Sequence, residues 1–334
     1  MDKIKLLTGD STKLMKQIDS DSVSLIISDP PYNLSKDYNS SKDNMDFNTF
    51  TGFTRQWLSE ATRILVPGGT IYVFMGMKMI SYVYMIMEQE LNLDFQSWIT
   101  WHYTQGMGRT KGYSSRHDDI LMFTKPGNKT TFNLDNIRVP QKYYRSRNNM
   151  RGANPGNVWN FSHIHYSNPN RAVHPTQKPE GIIERMILAS SNENDLILDP
   201  FSGSGTTLRV AQVTNRKAIG IELDSTFVAE TKKRLEEPFE GFDSIDDRML
   251  RVPNDLSKES IRREYFHNHI IWFLTNHKMA MNNFFTNFLE KYKDKVTEDE
   301  MNDILLTAEN YNVKINSKLI KEIAKKFANN ITLF

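Results

Sequence analysis

From Lys3 to Leu235, short apolar runs of strand length alternate with stretches of helical period. The simplest fold with that order is a largely parallel sheet with helices on both faces. Lys3 to Leu7 reads as a strand, followed by Gly9-Asp10-Ser11 and a helix through Leu14 and Ile18. Ser22 to Ile27 is a nearly continuous apolar strand, as in a sheet covered on both sides, and it stops at Asp29-Pro30-Pro31-Tyr32, where proline ends the pairing. Phe50 to Leu65 sets Phe53, Trp57, Leu58, Ala61 and Leu65 on one helical face. Pro67-Gly68-Gly69 then turns the chain into a strand from Thr70 to Phe74. A helix around Tyr82 to Glu90 and strands at Phe95 to Tyr103 and Asp119 to Thr124 follow. Further on come a helix from Pro179 to Ser190, the strand Leu196 to Leu198, a helix from Thr206 to Val213, the strand Ala218 to Ile221 and a helix to Leu235. The expected class is α/β, with a doubly wound sheet.

Two stretches break this rhythm. Lys125 to Val173 is rich in Asn, Pro and Gly and carries few periodic apolar residues. Beyond Pro238 the strand signals stop, and Lys258 to Tyr292 and Glu298 to Ala328 have the pattern of amphipathic helices. A chain of 334 residues suits one large domain with a smaller appendage. Ile71 to Met87 is the most apolar stretch, but Lys78 at its centre marks a buried strand and helix rather than a membrane span. No N-terminal series resembles a signal peptide. Cysteine is absent, which excludes disulfides and thiolate metal sites.

Asp199-Pro200-Phe201-Ser202-Gly203-Ser204-Gly205-Thr206 follows an apolar strand and opens a helix. Glycines at such a turn let the backbone pass close to a ligand. Glu222 closes the next strand, where a carboxylate can hold the two hydroxyls of a ribose. Both features suit an adenosine-containing cofactor. A dinucleotide-binding oxidoreductase is the rival reading, but its fingerprint wants a third glycine where Leu208 stands. Asp199 would also repel a phosphate, whereas it could pair with the amino group of a methionine moiety. An ordinary strand–turn–helix is the plain alternative.

Asp29-Pro30-Pro31-Tyr32 ends another strand, at the edge where open α/β sheets place their ligands. An aromatic amino nitrogen is a poor nucleophile, because its lone pair is delocalised into the ring. Acceptors for both of its N–H groups favour a pyramidal nitrogen whose lone pair can face a methyl donor. Asp29 can supply one acceptor and the Pro30 carbonyl another, while Tyr32 can stack on an everted base. Asp29 need only help remove a proton once the nitrogen has become cationic. A simple strand-end turn is the alternative for the tetrapeptide taken alone.

Together these segments resemble the amino-methylating DNA methyltransferases of the permuted β class, in which the catalytic Asp-Pro-Pro-Tyr half precedes the cofactor-binding half. His174-Pro175-Thr176-Gln177-Lys178-Pro179 is similar to that family's tenth motif, Gly9-Asp10 to the segment that meets the cofactor's adenine, and Arg116-His117-Asp118 to the eighth motif. The resemblance covers roughly residues 3 to 236. It implies a Rossmann-like methyltransferase domain over 1–240, with a target-recognition insert at 125–173 and a helical extension at 241–334 onto which nothing is carried. It implies S-adenosyl-L-methionine as cofactor, double-stranded DNA as partner, no metal, and a cytoplasmic, prokaryotic protein. Asp29, Pro30, Pro31 and Tyr32 would be catalytic. Asp10, His174, Gln177, Lys178, Asp199, Phe201, Ser202, Gly203, Gly205 and Glu222 would surround the cofactor.

The net charge of +2 implies no polyanionic partner by itself, so the distribution of charge matters. Lys125, Lys129, Arg138, Lys142, Arg145, Arg147, Arg151 and Arg171 crowd the stretch from 125 to 173, where Asp135 is the only acid. Arg138, Lys142, Arg145, Arg147, Arg151 and Arg171 are the candidate DNA-binding residues, with Tyr143, Tyr144, Trp159 and Phe161 interleaved. Incidental charge on a solvated loop is the alternative. After Glu240, fourteen basic residues balance fourteen acidic ones, so the tail is no DNA clamp. Its Phe266, Ile270, Phe273 and Leu274, and Phe284, Phe285 and Phe288, are expected to pack on the core or on another subunit, which leaves a homodimer open. His267 and His269 lack a completing ligand set for a metal.

C5-cytosine methylation needs a cysteine nucleophile and is excluded. Asp at the head of the tetrapeptide favours adenine N6 over cytosine N4, which stays as the alternative. Outside the transferases, a non-catalytic DNA-binding protein on a methylase scaffold is the competing class.

Overall fold

The computed structural model describes residues 3–33, 44–103, 108–139, 152–164, 174, 176–238, 257–276 and 281–325. The chain divides into two compact units, one of Met1–Asn133 with Gly156–Arg248 and one of Leu134–Pro155 with Met249–Phe334.

The first unit is built on an eight-stranded sheet: β1 (Ile4–Thr8), β2 (Val23–Ser28), β3 (Leu65–Met75), β4 (Asp94–His102), β5 (His117–Thr124), β6 (Val158–Asn160), β7 (Leu196–Asp199) and β8 (Lys217–Glu222), in the order β1-β8-β7-β2-β3-β5-β4-β6. The pairings are parallel except on either side of β5, which runs against β3 and β4. Chain order reverses between β7 and β2, and such a switch point opens a crevice beyond the strand ends.

Among the described residues six α-helices belong to this unit: α1 (Ser11–Leu14), α2 (Phe47–Ile64), α3 (Ile80–Met85), α4 (Glu180–Ser190), α5 (Thr206–Val213) and α6 (Ser225–Glu236). The Asp46 side chain caps α2, accepting from the backbone N–H groups of Asn48 and Thr49. Phe50, Trp57, Leu58, Ala61 and Ile64 recur at helical spacing and are buried against Ile26, Ile71 and Val73 of the sheet. On the opposite face, Ile182, Ile183, Met186 and Ile187 of α4 and Leu208, Val210 and Ala211 of α5 pack on Leu25, Ile27, Tyr72 and Ile197. Both faces are thus covered, which explains the unbroken apolar run of β2.

Three details depart from the sequence reading. β3 begins at Leu65 and runs through Pro67-Gly68-Gly69, because Gly68 N–H donates to Lys125 O and Lys125 N–H to Gly69 O, extending its pairing with the chain after β5. The π-helical turn Ile86–Glu90 ends the helix begun at α3. The stretch from 125 to 173, read as lacking regular structure, supplies β6, which pairs with β4 through Trp101↔Trp159. Trp159 and Phe161 are accordingly core residues, 5% and 4% exposed, and not DNA contacts. The Arg185 guanidinium lies 4.9 and 4.6 Å from their ring centroids, and burial lowers it to about 10.

The second unit holds α7 (Glu259–Asn276), α8 (Met281–Tyr292), α9 (Glu298–Asn310) and α10 (Ser317–Ala324), together with the bridge Val139↔Ala153. Phe266, Ile270, Phe284, Phe285 and Phe288 pack on one another and on Met301 and Ile304, so the expectation that they cover the sheet domain or a second subunit gives way to a core of their own. Phe273 and Leu274 lie outside the described side chains. Arg262 and Glu300, each 2% exposed, form a buried pair with contacts of 2.8 and 3.1 Å. Glu300 also completes a capping box with Thr297 at the start of α9. His267 pairs with Asp303 at 2.8 Å, and His269 is buried against Phe284 with its Nδ1 2.8 Å from Tyr265 O. Among the described residues no cluster could hold a metal ion, and no helix is long and apolar enough to cross a membrane.

Candidate active site

Parallel strands deliver their C-terminal ends to one edge of a sheet, and here those ends line a cavity of about 830 Å³, ample for a small-molecule site. Around the ends of β1, β7 and β8 stand Asp10, Asp199 and Glu222. Around the ends of β2, β3 and β4 stand Asp29 to Tyr32, Phe74 and Tyr103. β5 runs backwards, so its beginning, with Asp118, reaches the same edge.

The first group is tied together by backbone. Glu222 accepts from Gly203 N–H at 2.8 Å through one oxygen and from Asp224 N–H at 2.9 Å through the other. Asp10 caps α1, taking the Thr12 N–H at 2.9 Å and its hydroxyl at 2.7 Å. Phe201 sets its ring edge-on to Trp57 at 5.4 Å and to Phe53 at 6.0 Å, so α2 carries one wall. Asp199 is 6% exposed. Burial pushes its carboxyl up to about 7, helped by the charges of Asp29 and Glu222, although Thr207 and the Phe201 N–H act against the rise.

The glycines of the loop serve its own packing. Gly203 has φ +47 and a Cβ there would lie 3.0 Å from the His174 ring. Gly205 has φ +72 and its Cβ would meet Thr231 Cγ2 at 2.3 Å. Gly203 lines the cavity and Gly205 does not. Leu208 occupies the place of the third glycine in a dinucleotide fingerprint, and the close helix–strand approach is met from the other side: a Cβ on Gly220 of β8 would fall 2.6 Å from Leu208 Cδ1.

In the second group Lys178 Nζ donates to Asp29 Oδ2 at 2.5 Å and lies 5.3 Å from the Tyr32 ring centroid and 5.2 Å from that of Phe74. Asp29 Oδ1 is buried with no hydrogen-bond partner. Tyr103 stands 4.0 Å from the His163 ring. Burial, the charge of Asp118 and a hydrogen bond to it raise the Tyr103 hydroxyl well above its ordinary range.

Every residue expected to be catalytic lines this cavity, as do Asp10, His174, Gln177, Lys178, Asp199, Phe201, Ser202, Gly203 and Glu222. The sequence reading missed Phe53, Phe227, Tyr103 and His163. Phe53 was taken for ordinary helical periodicity, and Tyr103 joins Asp118 at one edge only because β5 runs antiparallel to β4, which no local signal announces. The candidate DNA-binding residues fare differently. Arg138 spends its guanidinium on Asp135 at 2.6 Å and on Gly152 O at 3.0 Å. Lys125, basic but not among those candidates, holds Asp21 and the last carbonyls of α2. Lys142, Arg145, Arg147, Arg151 and Arg171, with Tyr143 and Tyr144, lie outside the described residues.

A family model for N6_N4_Mtase, described as DNA methylase, matches residues 23–233. The chain is 58% identical over 296 residues to Type II methyltransferase M.HpaI of Haemophilus parainfluenzae, covering 89% of this chain and 94% of that protein. It is 34% identical over 243 residues to DNA adenine methyltransferase YhdJ of Escherichia coli (strain K12), covering 69% and 82%. Among solved structures, PvuII DNA methyltransferase (cytosine-N4-specific) is similar with a TM-score of 0.59 at 18% identity, covering 81% of this chain and 93% of that one, a likeness of fold. With motif order, sheet topology and sequence in agreement, this chain belongs to the N6_N4_Mtase family of DNA methylases.

Proposed function

We propose that this chain transfers a methyl group from S-adenosyl-L-methionine to the N6 amino nitrogen of adenine in double-stranded DNA, acting on a base turned out of the helix. The observation that carries the reading is Asp29 Oδ1, a buried carboxylate oxygen without a partner beside a cavity that also holds the glycine loop. An acceptor left unsatisfied in a buried place is costly unless a ligand supplies the donor. An exocyclic amino group is such a donor.

The residues present fit the cofactor. Asp10, Asp199 and Glu222 put acids, not cations, around one end of the cavity, which disfavours a pyrophosphate and favours hydroxyls and an ammonium group. Each Glu222 oxygen keeps a lone pair beyond its backbone donor, enough to take ribose hydroxyls. Bound there, the cofactor supplies an electrophilic methyl on a sulfonium, whose carbon–sulfur electron pair stays on sulfur as the new carbon–nitrogen bond forms. Asp29 Oδ1 and the Pro30 carbonyl accept the two amino hydrogens, Tyr32 stacks on the ring, and Asp29 takes the proton that the methylated nitrogen sheds. Adenine is favoured over cytosine because the chain carries Asp at position 29 and is similar over two thirds of its length to a DNA adenine methyltransferase.

The test is transfer of labelled methyl groups to unmethylated DNA, followed by mass analysis of the nucleosides. Methyladenine is expected, and Asp29→Ala should abolish transfer while keeping cofactor binding. Methylcytosine would move the reading to N4. Full activity in Asp29→Ala would remove the role given to that carboxylate.

A further inference from the structure

Lys178 was read with the cofactor-binding residues, but the geometry ties it to Asp29. Its backbone is pinned where two helices begin: Pro179 precedes the first turn of α4, and the Lys178 carbonyl accepts from Thr206 Oγ1 at 3.3 Å, at the start of α5. A residue before proline is held extended, so the stem of Lys178 leaves this junction in a fixed direction. The side chain is 11% exposed, and its ammonium rests between one carboxylate oxygen and the faces of Tyr32 and Phe74. Ion pairing and cation–π attraction therefore act on the same nitrogen.

This arrangement divides the work of the Asp29 carboxylate. A free carboxylate turns about its last bond and can offer either oxygen. Here Oδ2 is engaged by Lys178, and Oδ1 is the oxygen left buried and unpartnered. Asp199 and Glu222 also line the cavity, so the ammonium offsets one member of a crowd of acids. We propose that Lys178 is a positioning residue for methyl transfer: by holding Oδ2 between two aromatic faces it presents Oδ1 alone, in one orientation, to the target amino group. This rests on the methyl-transfer reading above. It also explains why a cation sits against the rings of Tyr32 and Phe74, where an everted base would stack on Tyr32.

The measurement is single-turnover methyl transfer at saturating cofactor and DNA, beside the cofactor Kd, for the full chain and its Lys178→Met, Lys178→Gln and Lys178→Arg variants. Misaligning a reacting group by about an ångström costs on the order of 100-fold. Lys178→Met should therefore slow transfer by about that factor while the cofactor Kd stays within about twofold. Lys178→Arg, which can still donate to Oδ2, should recover most of the rate. Lys178→Gln, which keeps a donor but loses the charge, should transfer at a rate between those of the Met and Arg variants with the cofactor Kd unchanged. A role confined to folding would not order the three variants by donor and charge at constant cofactor affinity. A raised cofactor Kd with a wild-type rate at saturation would make Lys178 a cofactor ligand and overturn the inference. So would equal losses in the Met and Arg variants. Wild-type transfer in Lys178→Met while Asp29→Ala is inactive would overturn this inference alone, whereas an active Asp29→Ala overturns the methyl-transfer roles together with it.

Discussion

Asp199→Asn should stabilise the protein without cofactor and weaken it as a cofactor binder. The carboxyl is raised from 3.8 to about 7, chiefly by burial, and that gap is worth about 4 kcal/mol at ~1.36 kcal/mol per pH unit. The folded chain keeps this proton up to about pH 7, while the unfolded chain gives it up near 3.8. Between those values the unfolded state binds fewer protons, so the stability contribution is present at low pH and is lost as pH rises through the window. Asparagine has the shape of the protonated acid and does not titrate. Wild type and variant should therefore unfold alike in urea at pH 4, and the variant should lead by up to about 4 kcal/mol at pH 8. Cofactor binding should show the reverse. A cationic methionine moiety selects the ionised carboxylate, so wild-type affinity should be about tenfold weaker at pH 6 than at pH 8, with a proton released on binding below pH 7. Calorimetry in two buffers of different ionisation enthalpy reads that proton. Groups on the cofactor titrate alike for both proteins, so the difference between them isolates Asp199. A stability difference that does not vary with pH, or equal affinity of wild type and variant, would refute the assignment.

Gly205→Ala should cost more than about 2 kcal/mol and loosen the loop that carries Phe201 and Gly203, because the new Cβ meets both a left-handed φ of +72 and Thr231 Cγ2 at 2.3 Å. Adding Thr231→Ser should recover part of the steric cost, since Oγ1 would still lie 2.9 Å from the new Cβ, and none of the backbone cost, as thermal unfolding of the pair would show. In the helical unit, Arg262→Met should cost about 3 to 5 kcal/mol in urea, since Glu300 at 2% exposure is left charged and unpaired. Arg262→Met with Glu300→Leu should recover most of that loss, short of about 1 kcal/mol for the forfeited cap of α9.

The sequence announced the sheet because each strand carries its own signal. Val23 to Ser28 is apolar on both faces, and Leu196–Asp199 and Lys217–Glu222 bracket a loop with its own chemistry. The motifs Asp29 to Tyr32 and Asp199 to Gly205 lie 170 residues apart, and they meet because β2 and β7 pair at the switch point. What stayed hidden depends on partners far along the chain. Nothing local in Val158 to Asn160 says strand; it becomes one because β4 offers an open edge. Trp159 and Phe161 looked like base contacts because their neighbours in sequence are basic, while their neighbours in space, Arg185 among them, are core. The glycines of the loop were read as room for a ligand; Gly203 does line the cavity, whereas Gly205 does not, and Thr231 fills the space beside it.

The reversed direction of β5 reaches beyond pairing geometry. A parallel crossover must carry the chain from one edge of a sheet to the other, but the connection from Tyr103 to Arg116 leaves and rejoins on the same side, closed at its base by the Tyr103 N–H to Arg116 O bond of 2.9 Å. Its length can grow or shrink without altering any strand register. Tyr103 and Asp118, at its two feet, belong to the cavity wall. Substitutions in its described part, 108–115, can therefore alter the cavity wall at Ser115, beside Tyr103 and Asp118, while the strands beneath keep their register.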